Sequence, residues 1–83
     1  MKYRRIADDM TVTARAWQRH GDHPKVRPAT HADLPGSSDP GVYGWVDGSG
    51  LVLPGDYVVV SAANNIRVIR ERDFRKGYER LPE

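Results

Sequence analysis

Polar and apolar positions first alternate over Thr11-Val12-Thr13-Ala14-Arg15-Ala16-Trp17, with Val12, Ala14 and Ala16 on one face and Thr13, Arg15 and Trp17 on the other. Alternation with β-branched residues predicts a strand with one buried face. Ahead of it, Tyr3-Arg4-Arg5-Ile6 predicts a short extended piece. The signals sharpen from Val42. Val42-Tyr43-Gly44-Trp45-Val46 is apolar and β-prone, Asp47-Gly48-Ser49-Gly50 follows as a hairpin turn, and Leu51-Val52-Leu53 is the return strand. The Asp47-Gly48 pair carries the turn because glycine tolerates positive φ. Pro54-Gly55-Asp56 predicts a tight turn: proline presets φ at the first central position and Gly55 supplies positive φ at the second. Tyr57-Val58-Val59-Val60 reads as a central strand. Ser61-Ala62-Ala63-Asn64-Asn65 reads as a loop whose asparagines suit left-handed positions. Ile66-Arg67-Val68-Ile69-Arg70 pairs back, with Ile66 and Val68 on one face.

Asp73 then predicts the N-cap of a short helix. Phe74, Tyr78 and Leu81 stand at i, i+4 and i+7 and form one apolar stripe, with Arg75, Lys76 and Arg80 off it. Gly77 costs such a helix about 1 kcal/mol relative to alanine, so the helix depends on packing. Pro82 ends it. Residues 18–42 are different. Pro24, Pro28, Pro35 and Pro40 with Gly21, Gly36 and Gly41 break every period, which predicts a long Pro/Gly-rich loop. Within it Thr30-His31-Ala32-Asp33 has the form of a capping box and predicts one helical turn before Pro35. Gly36-Ser37-Ser38-Asp39-Pro40-Gly41 reads as its most mobile part. The fold class that follows is mainly β (α+β): a small curled antiparallel sheet or partly open barrel of four or five short strands, with one short C-terminal helix.

Composition narrows this picture. Eighty-three residues make a single domain spanning 1–83, which buries only roughly 60–65% of its unfolded surface. The chain has no cysteine, hence no disulfide, thiolate nucleophile or thiolate ligand. Met1-Lys2-Tyr3-Arg4-Arg5-Ile6-Ala7-Asp8-Asp9 lacks the apolar core of a signal peptide, and the longest apolar runs are about five residues, far short of a membrane span. A cytoplasmic protein with no membrane partner is the expectation. The net charge is +2, unevenly spread. Residues 1–27 hold seven basic groups against three acids. Residues 28–66 hold no Lys or Arg but four aspartates, Asp33, Asp39, Asp47 and Asp56. Residues 67–83 hold six basic groups against four acids. The basic ends either form a face for an anionic partner or pack against the acidic middle and neutralise it, and interspersed acids favour the second.

The C-terminal half resembles a known family. Gly44-Trp45-Val46-Asp47, then Leu51-Val52-Leu53-Pro54-Gly55-Asp56-Tyr57-Val58-Val59, then Arg72-Asp73-Phe74 and Tyr78-Glu79 are similar to small tailed-phage and prophage proteins with a Pro-Gly-Asp-Trp turn and a terminal Asp-x-Phe-x-x-x-Tyr-Glu helix. Met1-Lys2-Tyr3-Arg4 and Ala16-Trp17-Gln18 match the basic opening of that family loosely. The resemblance covers about 40 residues at the C-terminal end and about 17 at the N-terminal end. Tyr57 replaces the usual tryptophan, residues 6–11 stand as an insertion, and 18–42 has no counterpart. The resemblance implies a phage or prophage accessory protein. It transfers no site, since Gly48, Pro54, Gly55, Asp56 and Asp73 each have a turn or cap role.

Candidate chemistry is sparse. His20-x-x-His23 offers two imidazoles, with His31, Asp22 and Asp33 nearby, but zinc needs three or four ligands in fixed geometry. Ser37 or Ser38 with His31 and Asp33 names the atoms of a hydrolase triad, but without an oxyanion scaffold. Gly48-Ser49-Gly50 lacks the helix that a phosphate loop requires. The expectation is therefore a non-enzyme without cofactor or metal. Binding to a host protein is the first reading, of the kind made by anti-CRISPR and other anti-defence inhibitors. A nucleic-acid-binding small β-barrel is the alternative, with stacking from Tyr3, Trp17, Tyr43, Trp45 and Tyr57 and charge from Arg15, Arg67, Arg70 and Arg72. A virion accessory role is a third. Recognition usually lies in loops on a rigid scaffold, so the candidate partner-binding residues are Arg15, His31, Asp33, Asp39, Arg67, Arg70 and Arg72.

Overall fold

A computed structural model describes residues 1–61 and 64–82. Five strands build the larger sheet: β1 (Lys2–Arg5), β2 (Thr11–Ala16), β6 (Tyr57–Val60), β7 (Ile66–Ile69) and β8 (Tyr78–Arg80). Their order is β7-β6-β2-β1-β8, antiparallel throughout. The smaller sheet has the order β3-β4-β5, from β3 (Arg27–Pro28), β4 (Gly44–Val46) and β5 (Gly50–Val52). One short helix, α1 (Glu71–Gly77), joins β7 to β8, so it carries the chain from one edge of the larger sheet to the other. The described residues are mainly β with one short α-helix, and the sheets are antiparallel and do not close into a barrel. The eight strands among the described residues exceed the four or five expected, in part because β3 and β8 are too short to show a period of their own.

Each face of the larger sheet carries a packed apolar cluster. Val12 and Ala14 of β2 and Val59 of β6 point to the face beneath Phe74 of α1, where Tyr3, Tyr57, Ile69 and Tyr78 complete the layer. Phe74 stacks on Tyr57 at 4.0 Å and Tyr78 at 4.7 Å, and meets Tyr3 edge-on at 4.8 Å. The opposite face carries Val58, which packs with Trp17, Val26, Val46 and Val52 beneath the smaller sheet. Consecutive residues Val58 and Val59 thus point into opposite cores, which is why β6 reads as continuously apolar. Trp17, 1% exposed, fills the space between the two sheets, and its indole N–H meets no acceptor among the described residues.

The expected turns form as read. Asp56 N–H donates to Leu53 O at 3.0 Å and Gly55 takes φ 95°, a type II arrangement. In the hairpin, Ser49 N–H donates to Val46 O at 2.9 Å with Gly48 at φ 86°. Asn64 takes φ 57°, as expected of the 61–65 loop, while Ala62 and Ala63 lie outside the described residues. The C-terminal helix differs from expectation. It starts at Glu71 with Arg70 in the N-cap position, without a side-chain cap, so Asp73 lies inside the first turn. There both Glu71 and Asp73 complement the helix dipole. The helix stops at Gly77, and Tyr78-Glu79-Arg80 pair with β1 instead of adding another turn. The open edge of β1 and the low helix propensity of glycine together explain the switch. Leu81 is therefore off the helix, with its N–H on Lys2 O at 3.0 Å.

Gly44 sits where the smaller sheet presses on the larger. A Cβ there would lie 2.5 Å from Val26 Cγ1, 3.1 Å from Val52 Cβ and 3.2 Å from Trp17 Cζ2. Gly44→Ala should therefore destabilise by about 1–3 kcal/mol through overpacking, measured by urea denaturation. Gly36→Ala, which meets nothing within 4 Å, should leave the midpoint nearly unchanged.

Candidate functional site

The smaller sheet has two unlike faces. Gly44, Val46 and Val52 point inward, so the alternation turns Trp45, Leu51 and Leu53 outward. Trp45 stands opposite both Arg27 on β3 and Leu51 on β5. Beside this face, residues 33–37 fold down to make a groove of about 490 Å³ lined by Asp33, Leu34, Pro35, Tyr43, Leu51 and Leu53 among others.

An ion network holds that loop in place. Arg27 donates to both oxygens of Asp33, Nη1 to Oδ2 at 2.9 Å and Nη2 to Oδ1 at 3.3 Å. It also donates to Asp47 Oδ1 from Nη2 at 2.8 Å, so one guanidinium ties the loop to the hairpin. The expected capping box forms as a hydrogen-bonded turn. Thr30 N–H donates to Asp33 Oδ2 at 3.0 Å, and Asp33 N–H reaches Thr30 Oγ1 at 3.4 Å. The Arg27 guanidinium, helped by these Thr30 donors, holds the Asp33 carboxyl at about 2, and the two carboxylates raise Arg27 above its usual value.

A second ionic joint lies at the other end of β5. Asp56 is 4% exposed; its Oδ2 accepts from Leu53 N–H at 2.8 Å and from the Arg70 guanidinium. The backbone of the same turn brackets Trp17, with Trp17 N–H to Asp56 O and Gly55 N–H to Trp17 O both at 2.8 Å. Three of the four aspartates of the acidic middle are thus held by arginines from the basic ends.

The structure scatters the arginines proposed for a nucleic-acid groove. Arg15 pairs opposite Val58 and Arg67 opposite Val59, which places them on opposite faces of the larger sheet. Arg70 is engaged with Asp56, and Arg72 is exposed on α1. Of the proposed stacking aromatics, Trp17 is core and Tyr3 and Tyr57 pack on Phe74, while Tyr43 and Trp45 remain half-buried near the outward face. Two further grooves flank the larger sheet. One of about 330 Å³ has Arg15, His23 and Pro24 in its lining; the other, about 530 Å³, has Arg5, Met10 and Arg67.

The histidines and serines do not converge. His20 Nε2 lies 2.7 Å from Gly41 O, and its ring meets Trp17 edge-on. His23 Nδ1 accepts from Lys25 N–H at 3.1 Å; burial first, then Arg15 and Lys25, lowers the His23 pKa. Asp22 is used locally, accepting from Gln18 and Arg19 N–H. Asp33 is committed to Arg27 and Thr30, and among the described residues no hydrogen bond joins His31 to Asp33 or to either serine. His31 and Asp39 are both exposed in the loop.

Arg27 is absent from the residues that the sequence nominates, although it is the last basic residue before a stretch of 39 holding only aspartates as charged groups. That position was the available signal. The groove was hidden because Leu51-Val52-Leu53 is apolar on both faces. No protein-family model matches the chain, and no curated protein or solved structure matches it significantly. Among the described residues, no helix is long and apolar enough to cross a membrane.

The Asp33 carboxylate sets a pH dependence. Its folded pKa lies below the ordinary 3.8, so its ion pair stabilises the fold fully above that value and is lost as pH falls toward about 2. Thermal midpoints of the wild-type protein and Asp33→Asn should differ at about pH 5 and converge on acidification, whereas a constant gap would assign Asp33 no such role.

Proposed function

We propose that the protein is a non-catalytic binding module that presents the outward face of its smaller sheet to a partner protein. The observation that carries this reading is the groove beside Tyr43, Leu51 and Leu53, with Trp45 and Arg27 on the same face. Aromatic and arginine side chains around an apolar centre are the composition of protein-binding hot spots. The rigidity of the site supports it too: Leu34 and Pro35 are presented by a loop fixed at Asp33. The resemblance to small phage and prophage proteins supplies a setting in which such a module occludes a host protein, as an inhibitor of a defence complex does. A catalytic reading lacks a nucleophile–base pair among the described residues.

Immobilised protein should retain a defined partner from nuclease-treated bacterial lysate. The double variant Tyr43→Ala, Leu51→Ser should lose about tenfold or more of that affinity, as expected for a truncated hot spot, while circular dichroism shows the fold intact. Capture unaffected by this variant would move the interface elsewhere. Steeply salt-dependent oligonucleotide retention, weakened by Arg15→Ala or Arg67→Ala, would favour nucleic acid instead.

A further inference from the structure

We infer that the groove beside β5 receives a basic segment of a partner protein that inserts an apolar side chain, an inference that rests on the protein-binding reading of this face. The floor is apolar, from Leu34, Pro35, Leu51 and Leu53, and it lies between two ionic joints. At one joint Arg27 serves both Asp33 and Asp47; at the other Arg70 serves Asp56. Two guanidiniums against three carboxylates leave one negative charge in excess. The geometry says which carboxylate carries it. The Asp33 side chain is 14% exposed and is engaged through both oxygens, whereas the Asp47 side chain is 79% exposed and is engaged through Oδ1 alone. Asp47 therefore keeps accepting capacity directed to solvent, two residues beyond Trp45 and on the hairpin that borders the face.

No basic residue of the surrounding segment offsets it, because residues 28–66 contain no Lys or Arg. The chain as a whole carries net charge +2, so a preference for a cationic partner at this face is a local property, opposite in sign to the long-range field of the molecule. An apolar anchor supplies the desolvated contact, and a lysine or arginine beside it meets Asp47. An acidic segment would be repelled at the same place.

Two synthetic peptides of equal length test this, one alternating leucine with lysine and the other leucine with glutamate, each titrated into the full chain and followed by the backbone amide signals of Leu34, Leu51 and Leu53. The lysine peptide should shift those signals saturably, more weakly as salt is raised, and the glutamate peptide should not. Asp47→Asn should weaken the lysine peptide about threefold, the scale of one exposed charge contact, and Leu34→Ser should weaken it independently of salt. Equal binding of both peptides, no binding of either, or indifference to Asp47→Asn would each overturn the inference. Those results leave the binding face itself standing if partner capture still depends on Tyr43 and Leu51; loss of that dependence, with the peptide preference intact, would sink only the protein-capture reading.

Discussion

Asp56 places a carboxylate where water barely reaches, and the two sheets are joined around it. An uncompensated buried charge costs several kcal/mol. Here Leu53 N–H and the Arg70 guanidinium compensate it, and Arg70 keeps half of its side chain in solvent, at 49% exposed, so only one partner of the pair is fully desolvated. One turn consequently fastens the end of β5, the start of β6 and the chain just beyond β7. Its backbone adds the two hydrogen bonds that bracket Trp17. The indole enters the interface between the sheets from a fixed point and packs there on Val26, Val46, Val52 and Val58. That an N–H is buried with the ring is a cost of about 1–3 kcal/mol accepted for filling that space.

The same economy of charge governs the outer face. Arg27 engages two aspartates at once, which fastens the 33–37 loop through ion pairs rather than through a core of its own. Leu34, Pro35, Leu51 and Leu53 are thereby left at a surface instead of being consumed in the core. In a chain this small, with two separate cores already using most of its large residues, apolar area retained outside is area withheld from stability. The binding role proposed above is one physical purpose for that retention.

Much of the scaffold was legible in the sequence. Turns written in glycine and proline are local, so Asp47-Gly48 and Pro54-Gly55 were read correctly from a few residues each. The β-branched run at Tyr57–Val60 was read as central for the same reason that it is buried on both sides. What escaped depended on distant partners. Tyr78 fits a helical stripe below Phe74 and does stack on it, yet the backbone there is recruited by β1, some seventy residues earlier in the chain. Arg27 and Pro28 are a strand only because β4 lies beside them. Trp17 alternates with Thr13 and Arg15, but the smaller sheet that buries it is not visible from within its own strand. The candidate arginines are dispersed because residues close along the chain, such as Arg67 and Arg70, have different surroundings in space.

The placement of β1 has a consequence for how the chain reaches this structure. It lies between β2, its neighbour in sequence, and β8, near the other end of the chain. The β1–β2 hairpin can form early, but its outer edge stays unsatisfied until residues 78–80 arrive, and α1 must first bridge the sheet to deliver them. Such long-range pairing is paid in loop-closure entropy before it returns any contact energy, which makes it a late step in folding. On the ribosome, the hairpin therefore waits with an open strand edge until residues 78–80 have emerged.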